Sequence, residues 1–152
     1  MKFKYWLENN ELEVTSLGSF FKTGVPVTFK YSRNKEKAGY FGKQYQQDIE
    51  PHGRYVIQQY VDDENLPKTW ESGTITFKNP LVIPFNTIHG NTYDENSWKF
   101  QLSRRFGGKK GLNLSKAIAK AGYDGIVAVS VGPDGKPYDT SEIVDLRWLH
   151  TN

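Results

Sequence analysis

The chain contains no cysteine among its 152 residues. Disulfide bonds, thiolate metal sites and cysteine nucleophiles are therefore excluded, and a reducing compartment suits the composition. No apolar run approaches the roughly 20 residues that a membrane-spanning helix needs. The N-terminal lysines are followed by no apolar stretch of the kind found in signal peptides. We therefore expect a single cytoplasmic domain over 1–152, monomeric and without membrane contact.

The chain also lacks a strong excess of either charge, because 20 basic and 17 acidic residues give a net charge of +3. This balance is not typical of a nucleic-acid-binding protein. The three histidines, His52, His89 and His150, show no metal-ligand spacing, so we predict no metal site. The basic excess is local and comprises Lys99, Arg104, Arg105, Lys109, Lys110, Lys116 and Lys120.

Aromatic and glycine residues are plentiful in the chain, and alanine and leucine are modest, which favours strands and turns. Alternating or apolar patterns predict four strands up to Phe85. They are Val25–Tyr31, Arg54–Val61, Gly73–Phe77 and Leu81–Phe85. Two prolines, Pro80 and Pro84, indicate that the last of these is an edge or kinked strand.

The second half combines helices with a closing pair of strands. Apolar residues recur at i, i+3, i+4 and i+7 over Asn113–Ala121, which predicts a helix that Asn113 caps and Gly122 ends. The buried face of that helix would contain Leu114, Ala117, Ile118 and Ala121. An earlier helix is predicted over Ser97–Arg105, and strands over Gly125–Val131 and Glu142–Leu146. Strands followed by helices and a strand pair indicate an α+β fold rather than a βαβ repeat.

Three sequence pieces in this half resemble a known family. They are FKNPLVI (Phe77–Ile83), AGYDGIVAV (Ala121–Val129) and TSEIVDL (Thr140–Leu146). In this order they resemble the C-terminal half of ADP-ribosyltransferase-like domains, especially those of phages and mobile elements. The resemblance covers roughly residues 73–146. It implies a mostly antiparallel split β core with few helices.

The resemblance also implies a function. NAD would be the co-substrate, no metal would be needed, and Glu142 would be the catalytic glutamate. The acceptor would be a protein or nucleic acid in the cytoplasm, which is the host cytoplasm if a phage encodes the chain. Breaking the nicotinamide–ribose bond develops positive charge on the ribose, as in glycoside cleavage, and a preorganised carboxylate stabilises that charge. The alternative for Glu142 is a solvated charge at a strand edge.

The N-terminal half departs further from the family pattern. Family members carry an Arg or His on the first core strand, and Thr28–Asn34 is the best equivalent here. Tyr31 matches the aromatic position and Arg33 is the candidate polar contact, although Ser32 stands where a strict alignment places the Arg or His. The alternative for Arg33 is a surface arginine at a strand end. Thr140 replaces the acidic or amide residue of enzymes that modify arginine, which argues against an arginine acceptor.

Two further segments are candidates for ligand contact. In the loop preceding Tyr55, Tyr40 or Phe41 is a candidate to stack on nicotinamide, while His52 and Arg54 are candidates for phosphate or ribose contact. The alternative is a structured turn whose tyrosines cover the core.

The second segment is FGGKKG (Phe106–Gly111), which lies beside Arg104 and Arg105 and precedes a helix. Backbone N–H groups in such a segment can hold phosphate, or the basic residues can contact an acidic macromolecule. The alternative is a basic solvated hinge. Three functions therefore stay open: a mono-ADP-ribosyltransferase, a non-catalytic binding or inhibitor module acting through this basic surface, and an NAD glycohydrolase.

Overall fold

Strands dominate the architecture. The computed structural model describes residues 21–22, 26–36, 48–86, 97–131 and 137–150, which form seven strands and two α-helices. The strands are β1 (Phe21–Lys22), β2 (Val27–Asn34), β3 (Arg54–Gln58), β4 (Trp70–Phe77), β5 (Pro80–Asn86), β6 (Gly125–Val131) and β7 (Pro137–Asp145). The helices are α1 (Trp98–Arg105) and α2 (Gly111–Lys120), and 3-10 turns occur at Asp63–Asn65 and Leu146–His150.

The described strands form one sheet in the order β1-β5-β6-β7-β3-β2-β4. β5 and β6 are parallel, and each of the other neighbouring pairs is antiparallel. A parallel pair needs a long crossover, and the segment carrying α1 and α2 supplies it. The predicted α+β class is therefore confirmed, and the sheet is mostly antiparallel.

Side chains alternate between the two faces of the sheet along each strand. Apolar residues occupy both faces. On one face, which we call the helix face, strand residues pack against α1 and α2. This cluster contains Tyr55, Leu81, Ile83, Ile126, Ala128 and Val144 from the sheet with Trp98, Leu102, Leu114 and Ile118 from the helices. On the other, which we call the opposite face, the cluster contains Val27, Phe29, Val56, Ile75, Phe77, Val82, Val127, Val129 and Ile143. Full burial of each large side chain contributes roughly 1.5–3 kcal/mol.

The first two family-like pieces are joined by side-chain hydrogen bonds as well as by strand pairing. The carboxylate of Asp124 accepts hydrogen bonds from the backbone N–H groups of Lys78 (2.7 Å) and Asn79 (3.0 Å). The side-chain amide of Asn79 donates to the carbonyl of Gly122 at 2.7 Å. These hydrogen bonds hold the turn between β4 and β5 against the start of β6, so the GYDG and FKNP segments stabilise each other.

Helix α2 begins earlier than predicted. Its N-cap is Lys110, which makes no side-chain capping bond, so the prediction that Asn113 caps the helix is wrong. The reason is tertiary: a Cβ at Gly111 would lie 3.4 Å from His52 Nε2 and 3.6 Å from the Asp48 carbonyl, so the first turn is packed closely on the segment before β3. Leu114 and Ile118 are buried as predicted.

The observed end of α2 and the observed start of α1 can also be compared with their predicted positions. Ala121, predicted to be buried, is exposed at the C-cap position after the last helical residue, Lys120. Gly122 has a φ of 102° and occupies the predicted terminating position. Helix α1 confirms the predicted earlier helix, with Ser97 as its N-cap. In the described residues, neither helix is long and apolar enough to cross a membrane.

Strand positions differ from expectation at two places. β5 is next to the edge rather than at it, because Phe21 and Lys22 of β1 pair with Val82 and Leu81. β7 begins at Pro137, so Glu142 lies within a strand instead of opening one. The register with β6 shifts immediately before Glu142, since Ala128 pairs with Glu142 and Val129 pairs with Thr140. Such bulges re-aim side chains and are frequent beside active sites.

A Gly125→Ala substitution tests the close packing of Phe77 against the start of β6. An added Cβ would meet the ring of Phe77, which is fully buried between Phe29 and the Arg147 guanidinium and so has no space to shift. We expect a loss of about 1–3 kcal/mol in the free energy of unfolding, measured by urea denaturation. In a Phe77→Leu background the same substitution should cost less, and an equal cost in both backgrounds would contradict the steric explanation.

Candidate functional site

Glu142 belongs to a buried cluster of charged side chains on the helix face, which we call the Lys99 cluster (Glu50, Trp98, Lys99 and Glu142). The ammonium nitrogen of Lys99 lies 2.9 Å from Glu50 Oε2 and 3.7 Å from Glu142 Oε1. Glu50 and Lys99 are fully buried, whereas Glu142 retains 8% of its accessible surface. Of the two carboxylates, Glu142 is therefore the more accessible.

Local structure explains how Lys99 reaches this position. Ser97 caps α1 by accepting a hydrogen bond from the backbone N–H of Phe100 at 3.5 Å, which fixes the first turn. Trp98 and Lys99 follow immediately and are buried against the sheet. The rings of Tyr55 and Trp98 lie 5.9 and 5.5 Å from the ammonium nitrogen, within the range of cation–π attraction. The ammonium group is thus enclosed by two carboxylates and two aromatic rings.

The electrostatic balance of the Lys99 cluster leaves one carboxylate in excess. Burial raises the pKa of Glu142 to about 7, opposed by the positive charge of Lys99 and reinforced by the negative charge of Glu50. The indole N–H of Trp98 donates to the Glu142 carboxylate and favours its ionised form. Glu142 therefore exchanges a proton near neutral pH, which is the property of a general acid or base.

The helix face continues from Glu142 across the neighbouring strands. Val56 of β3 pairs with Ile143, so the next residue along that register, Ile57, lies beside Glu142. Ile57 in turn pairs with Ser32 of β2. Ser32, Ile57 and Glu142 therefore form one row across three strands, spanning about 10 Å at the usual strand spacing. Ile57 in the middle of the row is 40% exposed, whereas Ser32 and Glu142 at its two ends are buried.

Tyr31, Arg33 and Arg54 are brought together on the opposite face. Arg33 Nη1 (2.8 Å) and Arg54 Nη2 (3.0 Å) both contact the same oxygen of Glu71. Hydrogen bonding by Arg33, followed by the positive charges of both arginines, holds the pKa of Glu71 below its usual range. The Arg54 guanidinium lies 5.6 Å from the Tyr31 ring centroid and 4.5 Å from that of Trp148.

The residues predicted to contact one NAD molecule are therefore divided. Alternation along β2 puts Ser32 on the face of Glu142 and places Tyr31 and Arg33 on the other face. The structure therefore places Arg33 and Glu142 on opposite faces of the sheet. His52 lies beside the start of α2, where its carbonyl accepts a hydrogen bond from Ser115 Oγ at 2.6 Å. Tyr40 and Phe41 lie outside the described residues.

Sequence reasoning missed Glu50, Trp98 and Lys99 as members of the site. One local signal was present, since Lys99 is a cation in the first turn of a helix, where the helix dipole disfavours positive charge. A local conflict of this kind is common at functional positions. Glu50 is 49 positions from Lys99, and nothing in the local pattern indicates their contact.

Comparison with protein-family models, curated proteins and solved structures finds no match to this chain. Across the ranges that the structure describes, no group of three or more histidine, cysteine, aspartate or glutamate side chains is placed to hold a metal ion.

The raised pKa of Glu142 predicts a specific pH dependence of stability. Between pH 4.5 and about 7, folded Glu142 holds a proton that the unfolded chain has lost. This contribution is complete below pH 4.5 and is lost as the pH rises to about 7. The stability of the wild type relative to Glu142→Gln should therefore fall across this window by on the order of 3 kcal/mol. Urea denaturation at a series of pH values measures it, and parallel pH profiles would show an ordinary pKa.

A Lys99→Met substitution tests the counter-charge. It leaves two buried carboxylates without their cation, so we expect a loss of about 3–5 kcal/mol at neutral pH. The loss should shrink in acid, because protonated carboxyls need no counter-charge. The matched control is Lys116→Met on the exposed side of α2, which should change stability by about 0.5 kcal/mol or less. Equal effects of the two variants on the urea midpoint would contradict the assignment.

Proposed function

We propose that this protein is an NAD-consuming enzyme of the ADP-ribosyltransferase type, with the corresponding fold, in which Glu142 stabilises an oxocarbenium-like ribose. The observation that carries the proposal is the environment of Glu142. Its carboxylate is the accessible member of a buried cluster, follows a β-bulge and exchanges a proton near neutral pH. These properties separate it from a solvated strand-edge charge.

The arrangement of the family-like pieces supports the same proposal. FKNPLVI ends β4 and opens β5, GYDGIV opens β6, and TSEIVDL closes β7. These segments are separated in sequence, yet β5, β6 and β7 are consecutive in the sheet. The resemblance therefore corresponds to one continuous region of the molecule, with Glu142 on its helix face.

The chemistry follows from the charge of the Lys99 cluster. When the bond between nicotinamide and ribose breaks, its electron pair leaves with the nicotinamide nitrogen and positive charge develops on the ribose ring. The positive charge that develops on the ribose favours the ionised form of Glu142. The carboxylate therefore interacts more strongly with the transition state than with NAD itself. The acceptor then forms a bond to the ribose carbon and releases a proton, which a carboxylate with a pKa near 7 can accept.

Ser32 is the second contact that the geometry supports. Its position is the one at which the family pattern places an Arg or His, and it shares the helix-face row with Glu142. A hydroxyl there can donate to or accept from the NAD ribose. Arg33 and Arg54 instead hold Glu71 on the opposite face, so the proposal assigns them no contact with the reacting ribose.

Release of nicotinamide from NAD tests the proposal. The wild type should release it, and Glu142→Gln should lower the rate by about 10²–10³-fold, the usual loss for one electrostatic stabiliser. Glu64→Gln, an exposed carboxylate in a 3-10 turn, is the matched control and should retain the wild-type rate. Radiolabel from the adenine side of NAD that becomes attached to a macromolecule indicates transfer, whereas free ADP-ribose alone indicates glycohydrolase activity. A folded wild type that neither binds NAD nor releases nicotinamide would overturn the proposal.

A further inference from the structure

The two helices carry an unbalanced set of cations. Between Ser97 and Ala121 the sequence has seven Lys or Arg residues and no Asp or Glu, although the whole chain is nearly balanced. Lys99 is directed inward and is paired with carboxylates. The other six are exposed: Arg104, Arg105, Lys109, Lys110, Lys116 and Lys120. Like charges four positions apart on a helix, as at Lys116 and Lys120, repel each other and lower stability, and an anionic partner would relieve that repulsion.

Four of these lysines surround one cavity of about 650 Å³, which we call the lysine pocket. It is lined by Gly108, Lys109, Lys110, Asn113, Lys116, Ala117 and Lys120. None of the four lysines forms an ion pair with another residue in the described ranges. Their positive charge is therefore available to a ligand.

The backbone around the lysine pocket is held in place by α1. Ser103 Oγ donates to the Lys109 carbonyl at 2.7 Å, and the Gly108 N–H donates to the Ser103 carbonyl at 2.7 Å. Gly108 has a φ of 77°, which a residue with a side chain adopts only under strain. Lys116 and Lys120 are four positions apart on α2, so their Cβ atoms lie about 5–6 Å from each other. The four ammonium groups thus extend from a fixed turn and one helix face.

The lining of the pocket discriminates among anionic partners. Protein interfaces are depleted in lysine and enriched in Tyr, Trp and Arg, and among the described residues none of those three types lines this pocket. Single-stranded nucleic acids are usually held by aromatic side chains that stack on the bases, and the part of the lining that the structure describes contains no aromatic side chain. A duplex hides its base faces and presents phosphates, which lysine binds as a point charge.

We propose that the lysine pocket binds the phosphate backbone of double-stranded nucleic acid without reading its sequence. Each lysine that neutralises a phosphate releases condensed counterions, so affinity must fall steeply with salt. The interaction does not rest on NAD cleavage, because the pocket residues and the Lys99 cluster share no side chain.

Fluorescence anisotropy with a labelled DNA duplex, repeated over a range of salt concentrations, tests the proposal. The slope of log affinity against log salt is about −0.9 for each phosphate neutralised. The double variant Lys116→Gln/Lys120→Gln should therefore reduce the magnitude of the slope by about 2. The matched control is Lys68→Gln/Lys78→Gln, two exposed lysines outside the helices, which removes the same charge and should leave the slope within about 0.5 of the wild type.

Three results would overturn the proposal. One is equal slopes for the pocket variant and its control, which would mean that net charge alone attracts the duplex. Another is tighter binding to the single strand of the same sequence or to polyglutamate. The third is the absence of duplex binding by the folded wild type at low salt. Glu142→Gln should bind the duplex as the wild type does, so loss of NAD cleavage and loss of duplex binding are separate outcomes.

Discussion

Burial of the Lys99 ammonium group is the constraint on which the site depends. Removing an ion from water costs several kcal/mol even after the protein relaxes, so a buried cation needs close counter-charges. Glu50 and Glu142 provide them at 2.9 and 3.7 Å. The turn before β3, the first turn of α1 and the middle of β7 are thereby held together, although they are far apart in the sequence. Helix α1 is positioned on the sheet by this ion cluster as well as by apolar packing of Trp98 and Leu102.

The same constraint determines the chemistry available to Glu142. One ammonium group cannot fully compensate two buried carboxylates, so the more accessible one holds a proton near neutral pH. An additional positive charge beside Glu142 would restore the balance. A ribose that becomes cationic in a transition state is such a charge, whereas the same sugar in the ground state is not. Ionisation of Glu142 is therefore costly in the resting protein and is favoured when positive charge develops on the ribose.

Sequence patterns predicted the elements that local periodicity specifies. They failed where contacts between distant segments determine the structure. The apolar run of β6 and the i, i+4 pair Leu114 and Ile118 carry their own signal. The start of α2 does not, because it depends on how closely Gly111 approaches the segment before β3. Ser32 and Arg33 show the limit for function. Alternation along a strand indicates that their side chains point to opposite faces of the sheet. Only the packing of α1 shows which face carries Glu142.

The helices carry two electrostatic systems that respond to different variables. The Lys99 cluster is enclosed, so dissolved salt screens it little, and its balance changes with protonation of Glu142. The lysines of the lysine pocket are exposed, and at physiological ionic strength their field decays over about 8 Å. Changes in pH near neutrality should therefore act mainly on the cluster, and changes in salt mainly on the pocket. The cluster lies at the start of α1, whereas the pocket lies on the following turn and α2, and they have no side chain in common. Each can therefore vary in sequence without disturbing the other.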